Sequence, residues 1–449
     1  MLKCWRQVVL GTMAVVWPAG AQAMAQGAPT DLVPPATSSA VQPQPQPVPV
    51  PLPPTLPLPP QVQVWTVDDA RSLLRSIELS VTDGLDPADY RPDALAAQIA
   101  AGPGDALNEQ ASTSFRWLAE DMRDGRTPMQ QRVQWFVFDP DADLMPAERL
   151  MADALARHDV AGVIAGLAPT YFHYVRLRDE LAVTPVSDAE RRSIIRVNMD
   201  RWRWLPRDLG KQFLIVNVPE FQLRLMVNGK VIRSYKTIVG KPGRTATPQL
   251  SEKVEGVIFN PTWTVPQSIV VGEGLGRRLL ASPAKARAEG YKVARAPDGT
   301  ISVVQQPGPG NALGLMKLHM PNPHAIFLHD TPNRELFNLD NRALSHGCIR
   351  VERASELAIT LGILRAGMKP EDGVALTKSG IYTLVPLTRA MPVYITYFTM
   401  APGIDDVMAS FPDLYGRDAP VLASLAAPRV SVRQRVTDEA VEAVEDPGV

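Results

Sequence analysis

Phe213-Leu214-Ile215-Val216-Asn217-Val218 and Phe221-Gln222-Leu223-Arg224-Leu225-Met226 flank Pro219-Glu220, and just beyond them lies Asn228-Gly229. Two short runs rich in aromatic and β-branched residues, the second alternating apolar with polar, read as strands. Asn-Gly supplies the positive φ that a two-residue hairpin needs, so Val231 to Ile238 reads as the returning strand. A β-rich domain therefore begins near residue 206. Further strands are expected at Val257-Ile258-Phe259, from His324 to His329, at Gly373-Val374-Ala375-Leu376 and at Val393-Tyr394-Ile395-Thr396-Tyr397.

Upstream the period is helical. Val67-Asp68-Asp69-Ala70 opens a run with acidic residues, and Ala147 to Ala161 repeats apolar residues at spacings of three and four. Trp65 to Arg191 thus reads as a helical region, in which His158 and His173 stand alone as surface or packing residues. The fold class is α+β.

The 449 residues suffice for two folded domains plus tails. A net charge of −1 leaves no basic field for nucleic acid or an anionic membrane surface. Lys3 and Arg6, the apolar stretch Val8 to Trp17 and the small-residue sequence Ala21-Gln22-Ala23 read as a secretory signal cut after Ala23. The mature protein is then exported and periplasmic, with no transmembrane anchor. Cleavage removes Cys4 and leaves Cys348 as a lone thiol in an oxidising compartment, either buried as a small hydrophobe or used as a nucleophile. Pro34 to Pro60 reads as an extended polyproline spacer.

The expected segments are a signal peptide over 1–23, a Pro-rich linker over 24–64, a helical domain over 65–205, a β-rich domain over 206–400, and a C-terminal extension with a loose tail over 401–449.

His319, His324, His329, His346 and Cys348 fall within thirty residues of one another. Strand alternation puts His329 on one face with Phe327 and Ala325, and His324 on the other. Ser345-His346-Gly347-Cys348 leads into Val351 to Ala358, which reads as a helix start; a helix N-terminus and a nearby imidazole both favour thiolate. The amides of Gly347 and Cys348 can donate to a developing oxyanion. His319 and His324, next to prolines and without a nameable partner, read as structural. Zinc on His329, His346 and Cys348 is the chemical rival, but the spacing fits no usual zinc pattern and no water-activating glutamate is close. A non-catalytic wall-binding scaffold leaves Cys348 unexplained.

His329, the intervening loop and Ser345-His346-Gly347-Cys348-Ile349-Arg350 resemble the signature of the L,D-transpeptidase catalytic domain family. Asn260-Pro261-Thr262-Trp263-Thr264-Val265-Pro266, Pro307 to Gly314 and Leu328-His329-Asp330-Thr331-Pro332 are similar to its long proteobacterial branch. The resemblance implies a β-rich catalytic domain with a capping lid over about 268–306, behind a helical scaffold domain. It implies Cys348 as nucleophile, His329 as base, the backbone carbonyl of Asp330 as the group orienting that base, and the amides of Gly347 and Cys348 as oxyanion hole. His346, Arg350, Phe327, Trp263 and Ser345 would bind substrate.

The implied substrates are peptidoglycan stem peptides, as both donor and acceptor, with no metal or organic cofactor. A diaminopimelate donor gives 3–3 cross-links. An L-Ala donor giving 1–3 cross-links, carboxypeptidase activity and D-amino-acid exchange are alternatives, and carbapenems should acylate Cys348. One departure from that branch is plain: Leu181 to Ala189, between the helical region and the next helix, is too short for a peptidoglycan-binding module.

Overall fold

Thr66 accepts a hydrogen bond from the amide of Asp69 (3.1 Å) and so caps the first helix, α1 (Val67–Leu79), whose acidic first turn suits the positive helix end. The structure, a computed structural model, describes residues 63–272, 274–431 and 434–441. The expected signal peptide and nearly all of the Pro-rich linker lie outside the described residues. After α1 come α2 (Pro92–Ala101), α3 (Asp105–Asp124), the short strand β1 (Trp135–Phe136), α4 (Asp141–Leu144), α5 (Ala147–Arg157), α6 (Val160–Ala165), α7 (Phe172–Val183) and α8 (Ala189–Trp202).

The strands that follow are β2 (Gln212–Asn217), β3 (Gln222–Val227), β4 (Lys230–Gly240) and β5 (Gln249–Phe259). Asn228 (φ 49°) and Gly229 (φ 75°) join β3 to β4, both in the left-handed region that such a hairpin demands. Next, β6 (Trp263–Thr264), α9 (Leu275–Ala281), α10 (Pro283–Ala288), β7 (Tyr291–Arg295) and β8 (Ile301–Gln305) build a small three-stranded sheet ordered β6-β8-β7. Its core is separate: Trp263, Val265, Ile269, Val270, Leu279, Ala286, Val303 and Leu313.

The chain then returns to the main sheet with β9 (Met316–His319), β10 (Leu328–His329), β11 (Ala343–Ser345) and β12 (Ile349–Val351). It continues through α11 (Ala354–Ala366), α12 (Pro370–Lys378) and β13 (Thr383–Thr396), and ends with the hairpin β14 (Met400–Pro402) and β15 (Met408–Ser410) and the helix α13 (Asp418–Ala426). The main sheet runs β1-β5-β13-β2-β3-β4-β12-β10-β9, and β9 also pairs with β5 (Val257 with Leu318), which closes the sheet on itself.

The run from Phe213 to Val216 is apolar at every position because both of its faces are covered. Leu214 and Val216 point into a core shared with Ala354, Leu357, Ala358 and Leu361 of α11. Phe213 and Ile215 point the other way, into the core of the helical region beside Leu118, Tyr174 and Trp202. The helices and the sheet thus share one continuous apolar core.

Three expectations need correction. Gly373 to Leu376 is not a strand but lies in α12, where Pro370 at the first turn followed by Glu371 and Asp372 starts a helix. The residues after Cys348 do not start a helix: β-branched Ile349 and Val351 make β12, inserted between β4 and β10, and α11 begins only after Arg353 (φ 50°). Of the expected strand His324 to His329, only Leu328–His329 is extended in the sheet, since Ala325 turns through φ 54°. The tail is also more tightly held than its sequence suggests. Arg429 pairs with Asp121 (2.9 Å) and Glu120 (2.7 Å), Arg435 with Asp143 (2.6 Å), and Glu439 accepts from the amide of Gln134 (2.6 Å).

Candidate active site

Cys348 lies in the turn between β11 and β12. Gly347 before it has φ 121°, a conformation that costs a residue with a Cβ but not glycine. The Ser345 hydroxyl, fully buried, donates to the Cys348 carbonyl (2.6 Å) and accepts from the Gly347 amide (3.1 Å). Thr247 donates to the Gly347 carbonyl (2.8 Å) while accepting from the Gly240 amide (2.9 Å), and Tyr415 donates to the Gly240 carbonyl (2.7 Å). The turn is therefore clamped from both sides by hydroxyls. Ser345 holds the loop rather than facing a ligand, and in this conformation the Gly347 amide is engaged by it.

β10 and β12 run parallel, with Leu328 opposite Ile349 and His329 opposite Arg350. The Ile349 amide donates to the Phe327 carbonyl (3.0 Å), which sets Cys348 level with Phe327, two residues before His329. The thiol is buried, and Sγ donates to the Ala325 carbonyl at 3.5 Å. His329 is buried too, with its ring 5.6 Å from that of Phe327. Across the other strand pair, His329 is opposite Lys317. Lys317, His329 and Arg350 thus form a row across β9, β10 and β12.

Lys317 had no place in the sequence reading. Its ammonium sits 3.6 Å from the centre of the Phe327 ring, a cation–π distance, and interacts with Cys348. Burial pulls the Lys317 pKa down and the sulfur opposes that shift. The available signal was one basic residue in the otherwise apolar stretch Leu315-Met316-Lys317-Leu318. Thr247 and Tyr415 were missed as well, because residues about a hundred and seventy positions apart show no linear sign of meeting.

Of the other expected residues, His346 is half-buried and stands out from a segment whose neighbours are all buried. Phe327, also half-buried, packs against both the main core and that of the small sheet, which brings the small sheet beside this site. Trp263 is buried within the small sheet's own core, and Arg350 is buried on β12. Asp330 donates its amide to Met316 O (2.9 Å), while its carboxylate accepts from the Leu315 amide (2.8 Å) and Arg334 (3.0 Å). Gly314 (φ 61°) makes room for it, since a Cβ there would meet the Asp330 carboxylate at 2.5 Å.

The remaining histidines have partners of their own. His324 packs on Phe136 (4.2 Å between ring centres), and His319 reaches Glu255 at 3.9 Å. His158 reaches Asp69 at 3.0 Å, and His173 meets Trp202 edge-on, where burial pushes its pKa down to about 3. Among the described residues no set of three or more His, Cys, Asp or Glu side chains is gathered as a metal ion requires, and no helix is long and apolar enough to cross a membrane.

A Haemophilus influenzae protein provisionally named an L,D-transpeptidase is 32% identical over 220 residues, which are 46% of this chain and 44% of that protein, so the chain matches less than half of its relative's length. Two solved structures align at low identity. An L,D-transpeptidase from Mycobacterium smegmatis has 13% identity, covering 41% of this chain and 58% of its own, with a TM-score of 0.20. L,D-transpeptidase 1 of Mycobacterium tuberculosis has 12% identity, covering 41% and 61%, with a TM-score of 0.19. Residues 62–181 match the scaffold domain family, and residues 211–387, which include Cys348, His329 and Lys317, match the L,D-transpeptidase catalytic domain family. The chain therefore carries an L,D-transpeptidase catalytic domain preceded by a scaffold domain.

Proposed function

We propose that this protein is an exported, periplasmic L,D-transpeptidase that remodels peptidoglycan through Cys348. The observation that carries the reading is that His329 ends β10 while Cys348 immediately precedes β12, the strand paired with it, within the matched catalytic domain and beside the half-buried cation of Lys317. The Cys348 thiolate attacks the carbonyl carbon of an L–D peptide bond in a stem peptide. The negative charge that develops on that oxygen is received by backbone amides of the 347–348 turn; Gly347 contributes once its bond to Ser345 is given up.

His329, oriented by the backbone carbonyl of Asp330, carries the thiol proton to the departing amine. The C–N bond breaks and a thioester remains on Cys348. The side-chain amine of diaminopimelate on a neighbouring stem then attacks the thioester, restoring the thiol and forming a 3–3 cross-link. Half-buried His346 and Phe327 are the side chains through which a peptide can approach, and the small sheet is the lid over it.

Mass spectrometry of muropeptides from sacculi incubated with the wild type and with Cys348→Ala tests this. New dimers joined through an L-centre should form with the wild type only. Their fragmentation identifies the donor, with an L-Ala donor giving 1–3 links instead. Unchanged muropeptides from folded wild type would defeat the reading. A carbapenem should add its own mass to the wild-type chain and none to Cys348→Ala.

A further inference from the structure

A cavity of about 640 Å³ lies where the start of β2, the end of α11 and a bulge in β13 meet. Asn228, in the turn before β4, lines it, whereas Gly240 at the other end of β4 is tied through Thr247 to the Cys348 turn. At about 3.3 Å per residue the two ends of β4 are about 30 Å apart. The cavity and the thiol thus stand at opposite ends of the sheet.

Its charged lining is Lys211, Arg365, Arg389 and Asp208, three cations against one carboxylate. Lys211, Arg389 and Asp208 are exposed and Arg365 is half-buried. None of the three cations is in an ion pair among the described residues. Arg365 is steadied by neutral groups instead: its guanidinium donates to the Gln212 carbonyl (3.3 Å), and its own carbonyl accepts from the Thr388 hydroxyl (2.6 Å). Burial, and then the like charge of Arg389, pull the Arg365 pKa down, so these two guanidiniums repel each other. A bulge brings Arg389 there. On β13 Pro386 pairs with Gly256 and Met391 with Val254, which leaves Leu387 to Ala390 opposite Glu255 alone.

A ligand that answers these walls needs more than one carboxylate for the cations. It needs an ammonium for Asp208, of which one oxygen accepts from the Gly210 amide (2.8 Å), and a hydrocarbon stem for Leu364, Ala390 and Pro392. A compact inorganic anion meets too few of these at once. The free end of a stem peptide that stops at diaminopimelate offers all three: two carboxylates and an amine, separated by a methylene chain.

We propose that this cavity is a second, non-catalytic wall site, which binds the diaminopimelate end of an uncross-linked stem peptide and holds the wall while Cys348 works on another stem. The inference rests on the proposed peptidoglycan substrate and not on the chemistry at Cys348.

Retention of the full chain on pelleted sacculi tests this, with Cys348→Ala present throughout to prevent turnover. Lys211→Glu combined with Arg389→Glu alters only exposed side chains and should weaken retention about tenfold, as should added salt. Arg149→Glu, which reverses an exposed cation on α5, should leave retention as it was. In calorimetry a disaccharide tripeptide ending in diaminopimelate should bind about tenfold more tightly than the disaccharide dipeptide that lacks it, and the double variant should erase the difference. Unchanged retention in the folded double variant, an equal loss in Arg149→Glu, or equal affinity for the two muropeptides would overturn the proposal. Retention that depends on Lys211 and Arg389 in a protein whose wild type forms no cross-links would defeat the transpeptidase reading and leave this site standing. Cross-linking by the wild type with retention indifferent to both residues would do the reverse.

Discussion

Gly347 and Lys317 show how single residues set the candidate active site. At φ 121°, Gly347 lets the chain reverse between β11 and β12 so that Ser345 can bond both its amide and the Cys348 carbonyl. Gly347→Ala should cost at least about 1–2 kcal/mol in urea denaturation and abolish cross-linking, because the turn that presents the thiol is remade. Lys317 keeps a positive charge beside the sulfur in an environment that disfavours charge. Lys317→Met keeps the apolar stem over Phe327 and removes that charge. It should lower kcat/KM about tenfold or more and move the acidic limb of its pH profile upward, since the thiolate then forms at higher pH. An unchanged profile would reduce Lys317 to a packing residue.

Among the elements, β2 carries the clearest test. Phe213 faces the helical core and Leu214 the sheet's own core, so Phe213→Ala should cost about 3–5 kcal/mol in chemical denaturation. The part of the fold legible in sequence follows from local rules. Alternation and the Asn228-Gly229 turn located β3 and β4, and the acidic residues Asp68 and Asp69 located the start of α1.

Elements decided by their partners were not legible. Val374-Ala375-Leu376 is too short an apolar run to separate strand from helix by period, and the Pro370 start signal decides for helix. Ile349-Arg350-Val351 becomes a strand because β4 and β10 leave a place between them, which no local pattern announces. The cluster around Cys348 was legible because its residues are close in sequence. The Thr247–Tyr415 clamp and Lys317 reach the site through tertiary pairing.

For the whole molecule, one core joins scaffold and catalytic domains, so pH sensitivity in either reaches both. Burial pushes Asp139, in the segment leading to α4, and Glu252, on β5, up to about 7. In the unfolded chain such carboxyls titrate near 4. The folded chain thus keeps protons that the unfolded chain releases, and the stability these two groups contribute, full below about pH 4, is lost as pH rises through 7. Melting temperature should fall over that interval. Asp139→Asn together with Glu252→Gln should flatten the fall.

The place of β13 between β2 and β5 also governs the order of events in folding. Leu214 waits for Val393, and Leu250 for Ile395, before either strand has its neighbour. Nearly the whole catalytic domain must be synthesised before the sheet can close, and such distant pairing makes folding slow. Until then the apolar run from Phe213 to Val216 is an unpaired edge able to join another chain. The newborn protein is therefore a natural client for a holding chaperone, and refolding yield should fall steeply as chain concentration rises.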